Sequence, residues 1–138
     1  MRTAILGAGA LGIIIGALMT KNGKQVELID ANKANVDALN ANGATVTGYL
    51  NLRQPVTAIT PDQMSGKYDL VILLTKQTDN DKALPPLLPH LHEESIVCTL
   101  QNGIPEETVA SFVGRERTIG GAVGFGATWL GPGVSELT

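Results

Sequence analysis

The residues of this chain whose types and spacing could do chemistry are the run Gly7-Ala8-Gly9-Ala10-Leu11-Gly12, the acid Asp30, the pair Thr75-Lys76 and the amide Asn102. A G-x-G-x-x-G run is weak evidence alone, since glycine and alanine are common. Here it follows the apolar run Thr3 to Leu6 and precedes a second, Ile13 to Met19, and Asp30 closes a further strand-like run from Gln25 to Ile29. Strand, glycine turn, helix, strand and acid in that order form a dinucleotide-binding fingerprint. Gly7 would permit the tight turn, Gly9 would let backbone approach a pyrophosphate, and Gly12 would let the helix lie close to the sheet. The N–H groups near Ala10 and Leu11 lack intrahelical partners and sit at the positive end of the helix dipole, so they would stabilise an anion without a basic side chain. Only Arg2 and Lys21 are basic nearby in sequence. Gly16 extends the small face of the helix and reads as close packing on the sheet.

Asp30 is suited to accept hydrogen bonds from the two hydroxyls of an adenosine ribose. It would also repel a 2′-phosphate by roughly 4 kcal/mol at about 4 Å and an effective dielectric near 20, and by less if wet. By itself it therefore favours NAD over NADP, although Lys33 stands close in sequence; the plain alternative is a surface acid at a helix start. Lys76 could reach a cofactor ribose or phosphate or a substrate carbonyl, or it is a solvated lysine opening a loop. Asn102 could donate to a nicotinamide ribose or a substrate oxygen, or it serves the Asn-Gly turn. His90 and His92 make no metal-ligand spacing with other His, Cys or acid residues and read as surface residues. No Ser-His-Asp or paired-carboxylate arrangement stands out.

These groups need a scaffold that brings them together. Ala4 to Gly7 reads as a strand, Leu11 to Lys21 as a helix ended by Asn22-Gly23, and Gln25 to Ile29 as a second strand. Asn32 can cap a helix through Asn40, with Asn42-Gly43 closing it. Thr45 to Thr47 and Val56 to Ile59 suggest a short antiparallel excursion, as the two arms of a hairpin. Leu70 to Leu74, five consecutive apolar residues, have the signature of a parallel strand covered on both faces. A helical stretch opens at Thr78 or Asp79, and Pro85-Pro86 should interrupt or restart it. Ser95 to Leu100 is another buried strand, Gln101-Asn102-Gly103 a turn, and Pro105 to Phe112 a short helix. Thr118 to Thr128 reads as one more strand, and Gly131-Pro132-Gly133 as a turn into a last strand, Val134 to Leu137. Strands alternating with helices predict an α/β fold of the Rossmann type: a doubly wound, mostly parallel sheet with a small antiparallel excursion. Such sheets bind ligands at the carboxyl ends of their strands, which is where Asp30, Thr75-Lys76 and Asn102 fall.

A length of 138 residues predicts one domain, over 1–138. The composition, 43% hydrophobic and 17% charged with a net charge of −3, is that of an ordinary globular protein. The charge and the lack of a Lys/Arg cluster exclude general nucleic-acid binding. One cysteine, Cys98, excludes an internal disulfide and reads as a buried strand residue. The start Met1-Arg2 before an apolar stretch superficially resembles a signal peptide, but glycines interrupt the stretch. The longest apolar helical segment is too short to span a bilayer, and a cytoplasmic location is expected.

The ordered set Gly7 to Gly12, Leu74-Thr75-Lys76, Leu100-Gln101-Asn102-Gly103-Ile104, and Gly126-Ala127 followed by Gly131-Pro132-Gly133-Val134 resembles the ketopantoate reductases (2-dehydropantoate 2-reductases) across essentially the whole chain. The resemblance implies hydride transfer from a reduced nicotinamide, NADPH or NADH, to 2-dehydropantoate or a related 2-keto acid. It places the residues matching Lys76 and Asn102 on the nicotinamide side of the cleft and that matching Ala127 beside the cofactor. Members of the family usually prefer NADPH, often with a basic residue after the second strand, where Asp30 stands here. They continue into a helical second domain that carries the catalytic lysine and most substrate contacts. That domain is absent from this chain, so the chain alone is expected to be inactive. A stand-alone dinucleotide-sensing module, like the regulatory domains of potassium transporters, is the alternative; self-association is a further expectation.

Overall fold

The fold was described from a computed structural model, for residues 1–101 and 105–138. Its centre is a six-stranded sheet of β1 (Thr3–Leu6), β2 (Val26–Ile29), β5 (Thr57–Ile59), β6 (Tyr68–Leu73), β7 (Leu91–Thr99) and β8 (Thr118–Gly120). The spatial order is β5-β2-β1-β6-β7-β8, and each neighbouring pair is parallel. Numbered within this sheet the order is 3-2-1-4-5-6, the dinucleotide-binding order.

Side chains alternate across each strand, so the sheet is covered on both sides. Ala4, Leu6, Val71, Leu73 and Val97 face α3 (Asn80–Leu87) and α4 (Glu106–Val113), meeting Leu84, Leu87, Val109 and Val113. Ile5, Leu28 and Ile72 face the other way, toward α1 (Ala10–Lys21) and α2 (Lys33–Asn42), where Ile13, Ile14, Val36 and Leu39 complete a second core. Ile5, Ile13, Leu28 and Leu39 are fully buried. Each contributes on the order of 2 kcal/mol over an exposed side chain.

Helix α1 is apolar nearly all round, as in Ile13-Ile14-Ile15, because it is covered on two sides. It rests on β1 and β2, and over its far side lies a second sheet of β3 (Ala44–Gly48), β4 (Leu52–Gln54), β9 (Ala127–Gly131) and β10 (Val134–Leu137). The order there is β4-β3-β10-β9: β3 runs antiparallel to β4, and β10 parallel to β3 but antiparallel to β9.

Three expectations change. The arm of the hairpin opposite β3 is Leu52–Gln54; Val56 to Ile59 instead supplies β5, which joins the main sheet parallel to β2. As an edge strand β5 needs an outer partner, and the Asn40 side chain gives one, accepting from the Ala58 N–H and donating to its carbonyl, both at 2.9 Å. Thr118 to Thr128 is not one strand: β8 stays on the main sheet, and after residues 121–126 β9 joins the second. Pro85 and Pro86 do not interrupt α3. The two carbonyls they cannot serve, Asp81 and Lys82, belong to exposed residues within reach of water.

Candidate functional site

The main sheet changes its winding direction between β1 and β6, with β2 and β5 on one side and β7 and β8 on the other. The carboxyl ends of these two strands flank the crevice where such sheets bind ligands. Gly7 leaves β1 with φ +107°, and its N–H continues the ladder to Ile29 O at 2.8 Å. A Cβ on Gly7 would stand 2.7 Å from the Thr75 nitrogen, so the turn rests directly on the chain leaving β6. On Gly12 a Cβ would overlap the Gly7 carbonyl oxygen, and on Gly16 it would meet Leu28 at 2.8 Å. A Cβ on Gly9 would meet nothing within 4 Å.

Gly9 is the N-cap of α1, whose first intrahelical bond is Ile13 N–H to Gly9 O at 3.0 Å. The N–H groups of Ala10, Leu11 and Gly12 precede it and have no partner within the helix. Arg2, basic and near in sequence, is at the opposite rim, over the Tyr68 ring and 2.7 Å from Glu27. Arg2 therefore adds nothing to the positive potential that the backbone supplies at the turn.

Two clefts flank the turn. The first, about 340 Å³, is lined by Gly7, Asp30, Pro61, Thr75, Asp79 and Lys82 among others. The second, about 360 Å³, is lined by Leu11, Leu74, Thr75, Lys76, Leu100 and Gln101 with Thr78. Thr75 belongs to both. Asp30 is half-buried: its Oδ2 accepts from Asn35 Nδ2 at 2.7 Å and its Oδ1 from the Asn32 N–H at 3.3 Å. The cap of α2 is Asn32, whose side chain accepts from the Asn35 N–H, so Asp30 is not the capping residue. Lys33, the nearest cation in sequence, is held by Asp37 at 2.9 Å on the exposed face of α2. Lys76 is exposed at the lip of the second cleft. Ala8 and Ala10 belong to the turn, and Ala127 opens β9, half-buried against the α1 core. Asn102 lies outside the described residues.

Three site residues escaped the sequence reading. Gln101, read there as part of a turn, is buried beneath the second cleft and donates to Thr75 O at 2.6 Å and Asn80 Oδ1 at 2.7 Å. Asn80, fully buried, returns a bond to Gln101 Oε1 at 3.1 Å, and Thr99 Oγ1 donates to the same oxygen. These amides fix the Thr75 backbone, and hence the step to Lys76. Asn35, at 1% exposure, lies under the glycine turn and Asp30. The signal in sequence was slight: a polar residue next to Val36 on a helix face that must be buried.

His90 and His92 are engaged at the opposite rim. His90 Nδ1 bonds Gly66 O at 2.8 Å, and His92 Nε2 lies 2.7 Å from Asp69 Oδ1. Cys98 is half-buried in β7, and burial pushes its thiol pKa up, which disfavours a reactive thiolate. Among the described residues there is no cluster of His, Cys, Asp or Glu able to hold a metal, and no helix long and apolar enough to cross a membrane.

The model of the family described as ketopantoate reductase PanE/ApbA matches residues 3–138. A 2-dehydropantoate 2-reductase of Pyrococcus horikoshii is 37% identical over 136 residues, which are 99% of this chain but 44% of the relative. Among solved structures, D-mandelate dehydrogenase with NADH and anilino(oxo)acetate superposes with a TM-score of 0.91 at 27% identity, over 100% of this chain and 46% of that one. The 2-dehydropantoate 2-reductase of Geobacter metallireducens GS-15 gives a TM-score of 0.85 at 30% identity, over 99% and 46%. The chain thus spans under half the length of these relatives.

Proposed function

From a chain that belongs to the ketopantoate reductase PanE/ApbA family, we propose the dinucleotide-binding half of an oxidoreductase that reduces 2-dehydropantoate or a related 2-keto acid. The observation that carries this reading is the pair of clefts meeting at the glycine turn and Thr75, one holding Asp30 and the other Lys76. That is the shape and polarity a two-headed ligand requires. The pyrophosphate would lie over Gly9, where no Cβ intrudes, against the N–H groups of Ala10, Leu11 and Gly12. Asp30 would take the adenosine ribose in the first cleft. Lys76 and Asn102 would line the nicotinamide side, with Ala127 at its border. A reduced nicotinamide, when bound, supplies the hydride.

Asp30 favours NADH over NADPH. Lys33 does not offset it, being paired with Asp37, and the D-mandelate dehydrogenase to which the chain is similar binds NADH. The relatives reported above are a dehydrogenase and reductases, which favours an oxidoreductase over a sensing module. Proton delivery and most substrate contacts would come from a helical partner domain, so the domain over 1–138 alone binds dinucleotide without turnover. Exposed Phe125, Trp129 and Leu130 offer apolar surface to such a domain or to a second copy. A cytoplasmic location accords with this chemistry.

Isothermal calorimetry with NADH and NADPH tests the proposal. NADH should bind at least tenfold more tightly, a difference of about 1.4 kcal/mol. No heat with either at millimolar concentration would remove the dinucleotide.

A further inference from the structure

We propose that Asn35 is a positioning residue of this site: it holds the Asp30 carboxylate toward the ribose, and so sets the discrimination between a ribose 2′-hydroxyl and a 2′-phosphate. The proposal rests on the dinucleotide reading given above. Asn35 is buried to 1% exposure, and its amide is fully engaged. One Nδ2 hydrogen goes to the carbonyl of Ala8 in the glycine turn and the other to Asp30 Oδ2, both at 2.7 Å. Its Oδ1 accepts the N–H of Gly133 at 2.7 Å, from the turn between β9 and β10. The pyrophosphate turn, the ribose acid and the second sheet are thus tied to one side chain.

The chemistry of an amide matters here. A carboxylate has about four lone-pair positions, and the bonds from Asn35 and from the Asn32 N–H occupy one on each oxygen. The remaining positions can face the cleft, with the carboxylate plane fixed at both oxygens. A cation at position 35 would fix Asp30 equally well but would neutralise it, removing the repulsion that opposes a 2′-phosphate. A neutral donor orients the acid and leaves its charge intact. Asn35 needs no contact with ligand to do this.

A double-substitution cycle on the whole chain tests it, with Asn35→Ala and Asp30→Ala alone and together and the NADH-to-NADPH affinity ratio measured by calorimetry. Asn35→Ala should lower the ratio about tenfold in the native background and leave it unchanged once Asp30 is alanine. An equal change in both backgrounds, or none in either, would overturn the role. Asn35→Asp serves if the alanine variant does not fold: it keeps the acceptor for Gly133 but sets a like charge against Asp30, and it should lower NADH affinity more than tenfold. In the unsubstituted protein, the Asn35 side-chain amide protons should shift in NMR spectra on adding NADH but not on adding reduced nicotinamide mononucleotide, which lacks the adenosine ribose. Unmoved resonances with NADH bound would defeat the proposal. Failure of the unsubstituted chain to bind NADH would instead strike the dinucleotide reading itself.

Discussion

The two rims of the main sheet are held by different chemistry. At the carboxyl rim the groups beneath the clefts are neutral amides and hydroxyls: Asn35 under the glycine turn, and Gln101 with Asn80 and Thr99 under Thr75. At the amino rim charged and aromatic groups join one buried hydroxyl: Arg2 on Glu27 and over the Tyr68 ring, Asp69 between the Arg2 N–H and His92, and Ser95 donating to Tyr68 O. The remaining ion pair among the described residues, Lys33 with Asp37, is on the exposed face of α2. A fully satisfied amide network stiffens a buried site without adding charge, which leaves the field in the clefts to the backbone N–H groups and to the charged side chains that line them, Asp30, Asp79 and Lys82 in the first and Lys76 in the second. Ion pairs near solvent can fasten the other rim, where no such field must be kept clean.

The contrast can be broken most forcefully at the glycine turn. Gly12→Ala places a methyl on the Gly7 carbonyl oxygen, so it should cost about 2–3 kcal/mol in urea unfolding and abolish NADH binding. Next, Gln101→Leu leaves the fully buried Asn80 amide short of its partner and should cost about 2 kcal/mol. By comparison, the Arg2–Glu27 coupling in a double-mutant cycle should stay below about 1 kcal/mol and shrink in 1 M salt, because both side chains are partly solvated. A coupling larger than the loss in Gln101→Leu would reverse the contrast.

Protonation sharpens the same distinction. Burial, then the Glu27 carboxylate, pushes the Tyr68 pKa up to about 12. With Tyr49→Phe leaving Tyr68 as the sole tyrosine, ultraviolet titration should place tyrosinate near pH 12. Its unfolded value is 10.0, so the stability it contributes is fully present below pH 10 and is lost as pH rises toward 12. The Arg2 backbone N–H and then the bond from His92 hold the Asp69 pKa below its ordinary 3.8. That contribution is present above pH 3.8 and fades as pH falls through the lowered value, so Asp69→Asn should flatten the acid limb of the stability curve slightly. The Glu94 N–H donates to His92 Nδ1, which leaves Nε2 to carry the proton shared with Asp69.

Local pattern made the glycine turn, α1, α2 and the buried parallel strands legible, since each follows from apolar periodicity and capping residues close in sequence. What escaped depends on partners far away. By local pattern Val56 to Ile59 pairs with its neighbour β3, but tertiary packing gives it to β2. Thr118 to Thr128 has uniform composition, yet its ends serve two sheets. Asp30 stands out in the sequence by its place after the second strand, and the structure sets it in the first cleft, whereas Asn35 and Gln101 carry no sign of burial until the fold encloses them.

The Gly133 N–H that Asn35 accepts comes from a residue 98 positions later, and Ser135, whose hydroxyl donates to Ala10 O, is 125 positions from that residue. At about 5–20 residues per second of synthesis, a nascent chain waits on the order of 5–20 seconds between making Asn35 and making its last partner. Through that interval β3 keeps an unpaired edge and α1 an uncovered apolar side, an opening during which a ribosome-bound chain would profit from a chaperone's shelter.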